Sequence, residues 1–208
     1  MIEIRTEGAG DSRAIQQVHT EAFGGSAEAN LVRLISERKK ALISLVAVSD
    51  DSVVGHILFS RVTIDNVPAA FNGIGLAPVA VLPTFQRRGI GSKLIREGLE
   101  RCKQAGYDAV VFLGYPSYYS RFGFVRAADF GLHNEYGVHD EFMVLALREE
   151  ALQDKLRERC CSFSRIPFML VHLKRESSER LPDDSREFRN ANLCRDTRSL
   201  PCGIETSH

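Results

Sequence analysis

Apolar positions recur with a different period in successive stretches of the chain, and these changes predict a series of short elements. Ile2–Thr6 alternates between apolar and polar side chains, as strands do. Asp11 precedes apolar residues at helical spacing, so the pattern predicts a first helix with Asp11 as its N-cap. Leu31, Leu34 and Ile35 predict a second helix.

The next part of the chain is rich in β-forming residues. Leu42–Val48 and Val53–Ile64 are predicted strands, and Asp50-Asp51 between them predicts a hairpin turn. Ile74–Leu82 is a further predicted strand with Pro78 inside it. Because proline has no amide hydrogen for a neighbouring strand, we expect a bulge or a gap at that position.

A long amphipathic helix is predicted after the basic turn that ends at Ser92. Leu94, Ile95 and Leu99 form its apolar face, and Gly106 marks its end. Shorter predicted elements follow, namely a strand at Ala109–Leu113, a helix at Ser117–Phe122, a strand that starts at Gly123-Phe124 and a strand at Phe142–Leu147.

This order of elements predicts a mixed α/β (α+β) domain around one sheet. We assign residues 1–150 to that domain, and residues 151–170 to a connection that allows one last strand around Phe163–Leu170. Residues 171–208 are polar and keep neither the helical nor the strand period, so we predict a disordered tail.

Composition narrows the class of protein. Of 208 residues, 44% are hydrophobic and 26% charged, and 27 basic residues balance 27 acidic ones. The zero net charge argues against nucleic acid or an anionic membrane as a partner of the whole chain. The charged, alternating N-terminus is unlike a signal peptide, and no apolar run is long enough for a membrane span. Five cysteines without a CxxC pair favour reduced thiols in the cytoplasm and no metal site.

The turn Gln86–Ser92 carries most of the chemical information. A strand ends, two arginines and two glycines follow, and a helix begins. Helix N-termini expose unpaired amides, and glycine lets them approach an anion such as a phosphate. The turn is not a Walker A loop, and Leu94 stands where a dinucleotide fingerprint has its third glycine. Taken alone, it is equally consistent with solvated arginines in an ordinary turn.

The surrounding residues resemble a known family. Val79–Val81, Gln86–Gly91 and Leu94 together resemble the acetyl-CoA motif of the GNAT N-acetyltransferase superfamily, Gln/Arg-x-x-Gly-x-Gly/Ala after the fourth strand. Tyr118–Phe124 resembles the closing element Tyr-x-x-Leu-Gly-Phe of these enzymes. With Leu113–Pro116 before it, that element is similar to the YhbS-like branch of the superfamily, over residues 1 to about 150.

The resemblance implies a fold and a co-substrate. The expected fold is the GNAT acyl-CoA N-acyltransferase fold, whose mostly antiparallel central sheet is splayed between strands 4 and 5 and flanked by helices. The pantetheine arm of acetyl-CoA would pair with Val79, Ala80 and Val81, and the Val79 N–H would polarise the thioester carbonyl. The positions that match the pyrophosphate-binding turn are Arg87, Arg88, Gly89, Ile90, Gly91 and Ser92.

The resemblance also implies an acid. Tyr119 takes the position of the family tyrosine that protonates or hydrogen-bonds the leaving thiolate, with Tyr118 as the adjacent alternative. An amine acceptor must lose a proton, so a base is expected as well. Glu28 is the base that we select, and the other candidates are Glu21, His56 and Glu141.

The expected activity is direct acetyl transfer from acetyl-CoA to an amine of a small molecule or a protein, in a ternary complex. Cys102 lies on an apolar helix face, so a covalent cysteine intermediate is not expected. The alternatives are a catalytically silent acyl-CoA-binding or regulatory module, an acyltransferase for a longer acyl group or an O-acceptor, and, more distantly, a nucleotide-binding Rossmann protein. Many relatives dimerise, which leaves a homodimer open.

Overall fold

The computed structural model describes residues 1–38, 40–62, 71–134 and 136–148, together with the backbone of 161–163. Helices and strands alternate irregularly along the chain. In chain order they are β1 (Glu3–Thr6), α1 (Ser12–Phe23), α2 (Ala27–Glu37), β2 (Ala41–Ser49), β3 (Ser52–Arg61), β4 (Gly73–Val81), α3 (Ile90–Gln104), β5 (Ala109–Leu113), α4 (Pro116–Tyr119), β6 (Val125–Arg126), β7 (Leu132–Asn134), β8 (Phe142–Ala146) and β9 (Cys161–Phe163).

Seven strands form one sheet in the order β1-β2-β3-β4-β5-β8-β6, and β7 pairs with β9 in a second, two-stranded sheet. Within the larger sheet only β4 and β5 are parallel; the other neighbours are antiparallel. The predicted mixed sheet, largely antiparallel and flanked by helices, is therefore confirmed.

Helices cover both faces of the sheet. The first two helices bury Ile15, Val32 and Ile35 against β-strand residues that include Leu58 and Ala77. The opposite face carries α3, whose buried positions are Ile90, Leu94, Ile95, Gly98 and Cys102. Because both faces are covered, the central strands are apolar in nearly continuous runs rather than in strict alternation.

Two local predictions have different outcomes. Asp50 and Asp51 both have positive φ, 47° and 62°, which is the geometry of the tight hairpin turn predicted there. Asp11 does occupy the N-cap position of α1, but its side chain makes no capping hydrogen bond. Its carboxylate instead accepts hydrogen bonds from Arg5 Nη1, at 2.6 Å, and from the Gly8 N–H, at 2.7 Å.

A bulge interrupts β4 at Ala77 and Pro78. Ile57 of β3 lies opposite Val79, whereas Phe59, two residues further on, lies opposite Leu76, so β4 carries one residue more than β3 in this interval. Residues before and after the bulge consequently reach the same face of the sheet at spacing three instead of two. The bulge predicted from Pro78 is confirmed.

The parallel pairing of β4 with β5 is short. It joins Gly73, Ile74 and Gly75 to Ala109, Val110 and Val111, and it ends there. Among the described residues, the remainder of β4, which contains the bulge, pairs with β3 alone. The predicted splay between strands 4 and 5 is thus present, and it leaves an edge of β4 without a strand partner in the described part of the chain.

Some predictions fall partly or wholly outside the described residues. The strand Val53–Ile64 ends at Arg61, and its last two positions, 63 and 64, are outside. The strand after Gly123 begins at Val125 instead, because Gly123 has a φ of 90° and ends the preceding helical turn. Of the last strand expected around Phe163–Leu170, only Phe163 falls in a described strand, Cys161–Phe163. Residues 164–170 and the predicted tail, 171–208, lie outside the described residues.

No helix in the described ranges combines the length and the apolarity that a membrane crossing requires.

Gly98 permits close packing of α3 on the sheet. A Cβ atom placed on Gly98 would lie 2.4 Å from Phe59 Cε2, and Phe59 is completely buried. We expect Gly98→Ala to lower the free energy of unfolding by about 1–3 kcal/mol, because overpacking outweighs the better helix propensity of alanine. Urea unfolding measures this.

Gly25→Ala is the matched control, since nothing lies within 4 Å of a Cβ placed there. Adding Phe59→Leu to Gly98→Ala should recover part of the loss, so strictly additive effects would contradict the steric explanation.

Candidate active site

The turn before α3 presents backbone amides to solvent. Arg87 and Gly89 both have positive φ, 61° and 76°, so the chain curls around its own N–H groups. The first intrahelical hydrogen bond joins the Lys93 N–H to the Gly89 carbonyl. No side chain caps this helix end. The amides of Ile90, Gly91 and Ser92 are therefore available to an anion, and the helix dipole favours one there.

Gln86 holds the turn against the sheet. Its Nε2 donates a hydrogen bond to the carbonyl of Val81, the last residue of β4, at 3.0 Å. This contact fixes the distance between the strand end and the helix start. Gln86 belongs to the motif, but its role does not follow from the sequence, because a contact with a backbone carbonyl leaves no mark on the pattern.

Two exposed arginines add positive charge to the turn. Arg88 lies over the ring of Phe85, with its Cζ 5.2 Å from the ring centroid. Neither Arg87 nor Arg88 forms an ion pair with any carboxylate in the described part of the chain. Their charge is thus free to attract an anion to the uncapped amides.

The last residues of β4 turn alternate amides away from β3. The Leu82 N–H donates to the Val54 carbonyl at 2.9 Å, so Leu82 is a hydrogen-bonded position of the β3–β4 ladder. In an antiparallel ladder alternate residues point to opposite sides, hence Val79 and Val81 direct their N–H and carbonyl groups away from β3. They face the side on which pairing with β5 has already ended.

The two tyrosines of α4 occupy different positions. A Cβ atom placed on Gly91 would lie 3.7 Å from the Tyr118 hydroxyl and 3.8 Å from Val81 Cγ2, so Tyr118 lies beside the turn and the end of β4. Tyr119 is completely buried, and its ring centroid is 3.9 Å from that of Phe112 in β5. Phe112 directly follows the last β5 residue that pairs with β4, which places Tyr119 at the start of the splay.

The buried hydroxyl of Tyr119 has no hydrogen-bond partner among the described residues. A buried hydroxyl without a partner destabilises the folded state by about 1–3 kcal/mol. Burial, with a smaller contribution from Tyr118, raises the pKa of Tyr119 well above its usual value. The group therefore stays protonated and can act only as a hydrogen-bond donor or a very weak acid.

Gly114 makes room for this aromatic cluster. A Cβ atom at Gly114 would lie only 2.2 Å from Phe112 Cε2. The glycine of the Leu113–Pro116 segment is therefore required by the ring that supports Tyr119.

The carboxylate candidates for a base are spread over the surface. Glu21 is exposed on α1 and accepts a hydrogen bond from Gln17 at 2.7 Å. Glu28 is half-buried in the first turn of α2, and Glu141 is exposed before β8. No hydrogen bond or ion pair within the described ranges joins any of these three to α4 or to the turn before α3.

His56 is the candidate that lies closest to β4. It is fully buried on β3, and its register partner is Ala80. Its Nδ1 lies 2.8 Å from Nε2 of His19 on α1, and its Nε2 lies 2.9 Å from Ser44 Oγ. His19 had not been singled out from the sequence, because 37 residues separate it from His56 and only the packing of α1 on β3 joins them.

Cysteine chemistry finds no support in the described residues. Cys102 is fully buried in α3, and burial raises the pKa of its thiol to about 12. A thiol in that state holds no thiolate near neutral pH. No group of acidic, histidine or cysteine side chains in the described ranges has the arrangement of a metal site.

These features lie together around the end of β4 and offer three chemical functions. Uncapped amides and free arginines suit a phosphate, outward-facing amides on β4 suit an extended polar ligand, and a buried phenol without a partner lies where β4 and β5 separate. The predicted turn, strand and tyrosines are thus brought to one side of the sheet, whereas Glu28 is not linked to them by any described contact.

Comparison with known proteins agrees with this arrangement. Residues 3–127 match the family described as the acetyltransferase (GNAT) domain. The chain is 40% identical to the uncharacterized N-acetyltransferase YjhQ of Escherichia coli K12 over 134 residues, which are 63% of this chain and 74% of YjhQ. It is 36% identical to the uncharacterized N-acetyltransferase YhbS of the same strain over 151 residues, which are 72% of this chain and 89% of YhbS.

Two crystal structures are similar as well. That of Escherichia coli YhbS in complex with CoA superposes with a TM-score of 0.72 at 32% identity, over 78% of this chain and 89% of YhbS. A GNAT family acetyltransferase from Brucella melitensis in complex with acetyl-CoA gives a TM-score of 0.60 at 38% identity, over 70% of this chain and 88% of the other.

The buried histidines should make stability depend on pH. Burial lowers the pKa of His19 from 6.5 to about 4, so the folded state disfavours its protonation. The contribution of neutral His19 to the stability of the folded state is complete above the pKa of a histidine in the unfolded chain, about 6.5. It is lost as the pH falls towards 4. We expect wild type to lose about 2–3 kcal/mol more stability than His19→Gln between about pH 7.5 and 4.5, measured by urea unfolding.

His139→Gln is the control, because His139 is exposed and should leave the pH dependence of wild type unchanged. A His19→Gln variant with the same acid sensitivity as wild type would contradict the assignment.

Proposed function

Because the chain belongs to the GNAT acetyltransferase family, we propose that it transfers the acetyl group of acetyl-CoA directly to an amine in a ternary complex. The observation that carries the proposal is the unpaired edge of β4, with the amide of Val79 facing the splay and the uncapped α3 amides following it. The same segments carry the residues that match the family motif.

The turn would hold the pyrophosphate. The amides of Gly89, Ile90, Gly91 and Ser92 supply donors at the positive end of α3, and Arg87 and Arg88 supply full charges. Neither arginine has a carboxylate partner among the described residues and no described side chain caps these amides, as a bound diphosphate would require. Gln86 would keep this cradle in register with the end of β4.

The edge of β4 would hold the acyl arm. Val79, Ala80 and Val81 continue the strand after the bulge, and the amides of Val79 and Val81 point into the splay. The pantetheine amides can pair with this edge as a further strand would. The Val79 N–H would then donate to the thioester carbonyl, and a fixed donor at an oxygen that gains charge stabilises the transition state.

Tyr119 would serve the leaving sulfur. Its unpartnered hydroxyl lies in the aromatic cluster at the start of the splay, and a thiolate would supply the missing acceptor. A thiol has a pKa of about 8.5, far below that of this phenol, so hydrogen-bond donation is favoured over complete proton transfer. Tyr118 is the alternative donor, since its hydroxyl lies beside Gly91.

Glu28 remains the proposed carboxylate base. It is half-buried in the first turn of α2 and has no described ion-pair partner. The domain assignment is likewise a proposal, with residues 1–150 as the acetyltransferase domain, 151–170 as a connection and 171–208 as a polar tail.

Acetyl-CoA affinity should depend on the turn. Calorimetry of wild type with acetyl-CoA should detect binding, and Arg87→Ala with Arg88→Ala should weaken it about tenfold, since each lost charge contact to a phosphate is worth about 0.5–1 kcal/mol near the surface. Arg13→Ala, exposed on α1, is the control and should bind as wild type does.

The loss should shrink as ionic strength rises, because salt screens exposed charges. Equal affinity in wild type and the double variant would refute the placement of the diphosphate.

Tyr119→Phe should separate stability from catalysis. Removing a buried hydroxyl that has no protein partner should leave the melting temperature unchanged or slightly higher. The same change should lower kcat about tenfold or more in a screen of amines that follows free CoA, if the phenol serves the sulfur.

Tyr107→Phe is the control, because Tyr107 lines a pocket at the opposite end of the sheet. Loss of activity in Tyr118→Phe but not in Tyr119→Phe would transfer the role to Tyr118. Acetyl-CoA binding without turnover of any amine would favour a silent acyl-CoA-binding module instead.

A further inference from the structure

Four polar side chains form a row on the α1 side of the sheet, behind the β4 segment described above. Glu7 and Ser44 are half-buried and line an open pocket at the protein surface. His56 and His19 continue the row inwards, and both are fully buried. The Ser44 hydroxyl donates to Glu7 Oε2, Ser44 Oγ lies 2.9 Å from His56 Nε2, and His56 Nδ1 lies 2.8 Å from His19 Nε2.

The hydrogen-bond donors and acceptors of these four side chains determine which group donates at each contact of the row. An ionised carboxylate only accepts, so the single Ser44 proton goes to Glu7, and Ser44 Oγ must accept from His56 Nε2–H. A neutral imidazole donates through one nitrogen only, so His56 Nδ1 accepts from His19 Nε2–H. His19 Nδ1 is then an unprotonated nitrogen, and it has no partner among the described residues.

Both rings are neutral near pH 7, as this assignment requires. Burial lowers the pKa of His19 to about 4, and burial together with His19 lowers that of His56 further below its usual value. Asp11 acts in the opposite direction on His56, but its carboxylate is already paired with Arg5. Strand β4, which packs against the same helix, carries no titratable residue.

The inner end of the row lies next to the segment proposed to hold the acyl group. His56 is the register partner of Ala80, between Val79 and Val81. Val18 and Ala22, on either side of His19 along α1, pack against Ala80. The bare nitrogen is thus on the face of β4 that belongs to α1, opposite the face covered by α3.

We propose that this row is a proton relay, in which His19 Nδ1 takes the proton of the acceptor amine, directly or through one water molecule, and Glu7 releases it at the surface. The inference rests on the proposed acetyl transfer and assigns its base to this row in place of Glu28. The role of each residue follows from its position in the row. His19 accepts the proton, His56 and Ser44 transfer it, and Glu7 releases it to solvent.

The proton balance closes in four concerted transfers. As the amine N–H bond breaks, the His19 Nδ1–H bond forms; the His19 Nε2 proton moves to His56 Nδ1. The His56 Nε2 proton moves to Ser44 Oγ, and the hydroxyl proton of Ser44 moves to the Glu7 carboxylate. Glu7 then loses that proton to water. After the product leaves, His19 Nδ1 gives its proton to water while one proton from water passes inwards through Glu7, Ser44 and His56, which restores the starting tautomers, and no electron changes hands.

The tautomers are tested without any substrate. In nitrogen-15 NMR of histidine-labelled full-length protein near pH 7.5, we expect two buried rings with protonated Nε2 and bare Nδ1. A protonated Nδ1 on His19 reverses the direction of the row and overturns the proposal.

The relay itself is tested through pH–rate profiles. Glu7→Gln cannot take up the proton and Ser44→Ala interrupts the row, so each should lower kcat with an amine substrate about 100-fold near pH 7 while the KM for acetyl-CoA is unchanged. The deficit should largely disappear near pH 10, where the amine is already neutral. A purely structural defect would persist at every pH.

Matched variants complete the experiment. Glu3→Gln makes the same change at an exposed position of β1, and Ser60→Ala removes another serine of the sheet; both should keep the wild-type profile. If Glu28→Gln shows the pH-dependent deficit and the row variants do not, the base is Glu28 and the relay is wrong.

The two proposals fail differently. A wild-type protein that acetylates no amine refutes the proposed function, and the relay with it. A wild-type protein that acetylates an amine, with row variants that follow its pH profile, refutes the relay alone.

Discussion

The bulge at Ala77 and Pro78 is the constraint on which the rest of the structure depends. One extra residue in β4 shifts its side-chain alternation, so that Leu76 and Val79 face the same side and both faces remain packed. Pairing with β5 has already ended at Gly75. The strand therefore carries amides that have no strand partner among the described residues, and such groups need a ligand or water. This edge of β4 follows from the local mismatch together with the early end of the pairing with β5.

The two faces of β4 divide the chemistry between backbone and side chains. On the α3 side, the turn and the strand edge offer backbone donors, and the arginines and tyrosines add polar side chains beside them. On the α1 side, buried imidazoles line up behind Ala80. Burial holds both rings neutral near pH 7, so they place no charge in this part of the interior. Because β4 lies between two helical layers, the backbone donors and the imidazoles are near each other but on different sides of one strand.

Local patterns predicted the elements whose structure depends on their own residues. The Asp50-Asp51 turn tolerates positive φ, Pro78 cannot complete a ladder, and the glycines before α3 open a helix end. Asp11 is the N-cap residue of α1 as predicted, but its side chain makes no capping hydrogen bond, because Arg5, six residues earlier, pairs with its carboxylate. The strand expected at Gly123 begins two residues later, since Gly123 itself has a φ of 90° and ends the preceding helical turn.

The sequence by itself determined the family, the order of elements and the turn that suits a diphosphate, because each depends on residues adjacent in the chain. The roles of Gln86 and Gly114 came only from the tertiary structure, since one contacts a backbone carbonyl and the other leaves space for a ring. The same holds for the row from Glu7 to His19. Its members are brought together by strand pairing and by a helix packed across it, and hydrogen bonds between residues 37 positions apart leave no periodic signal.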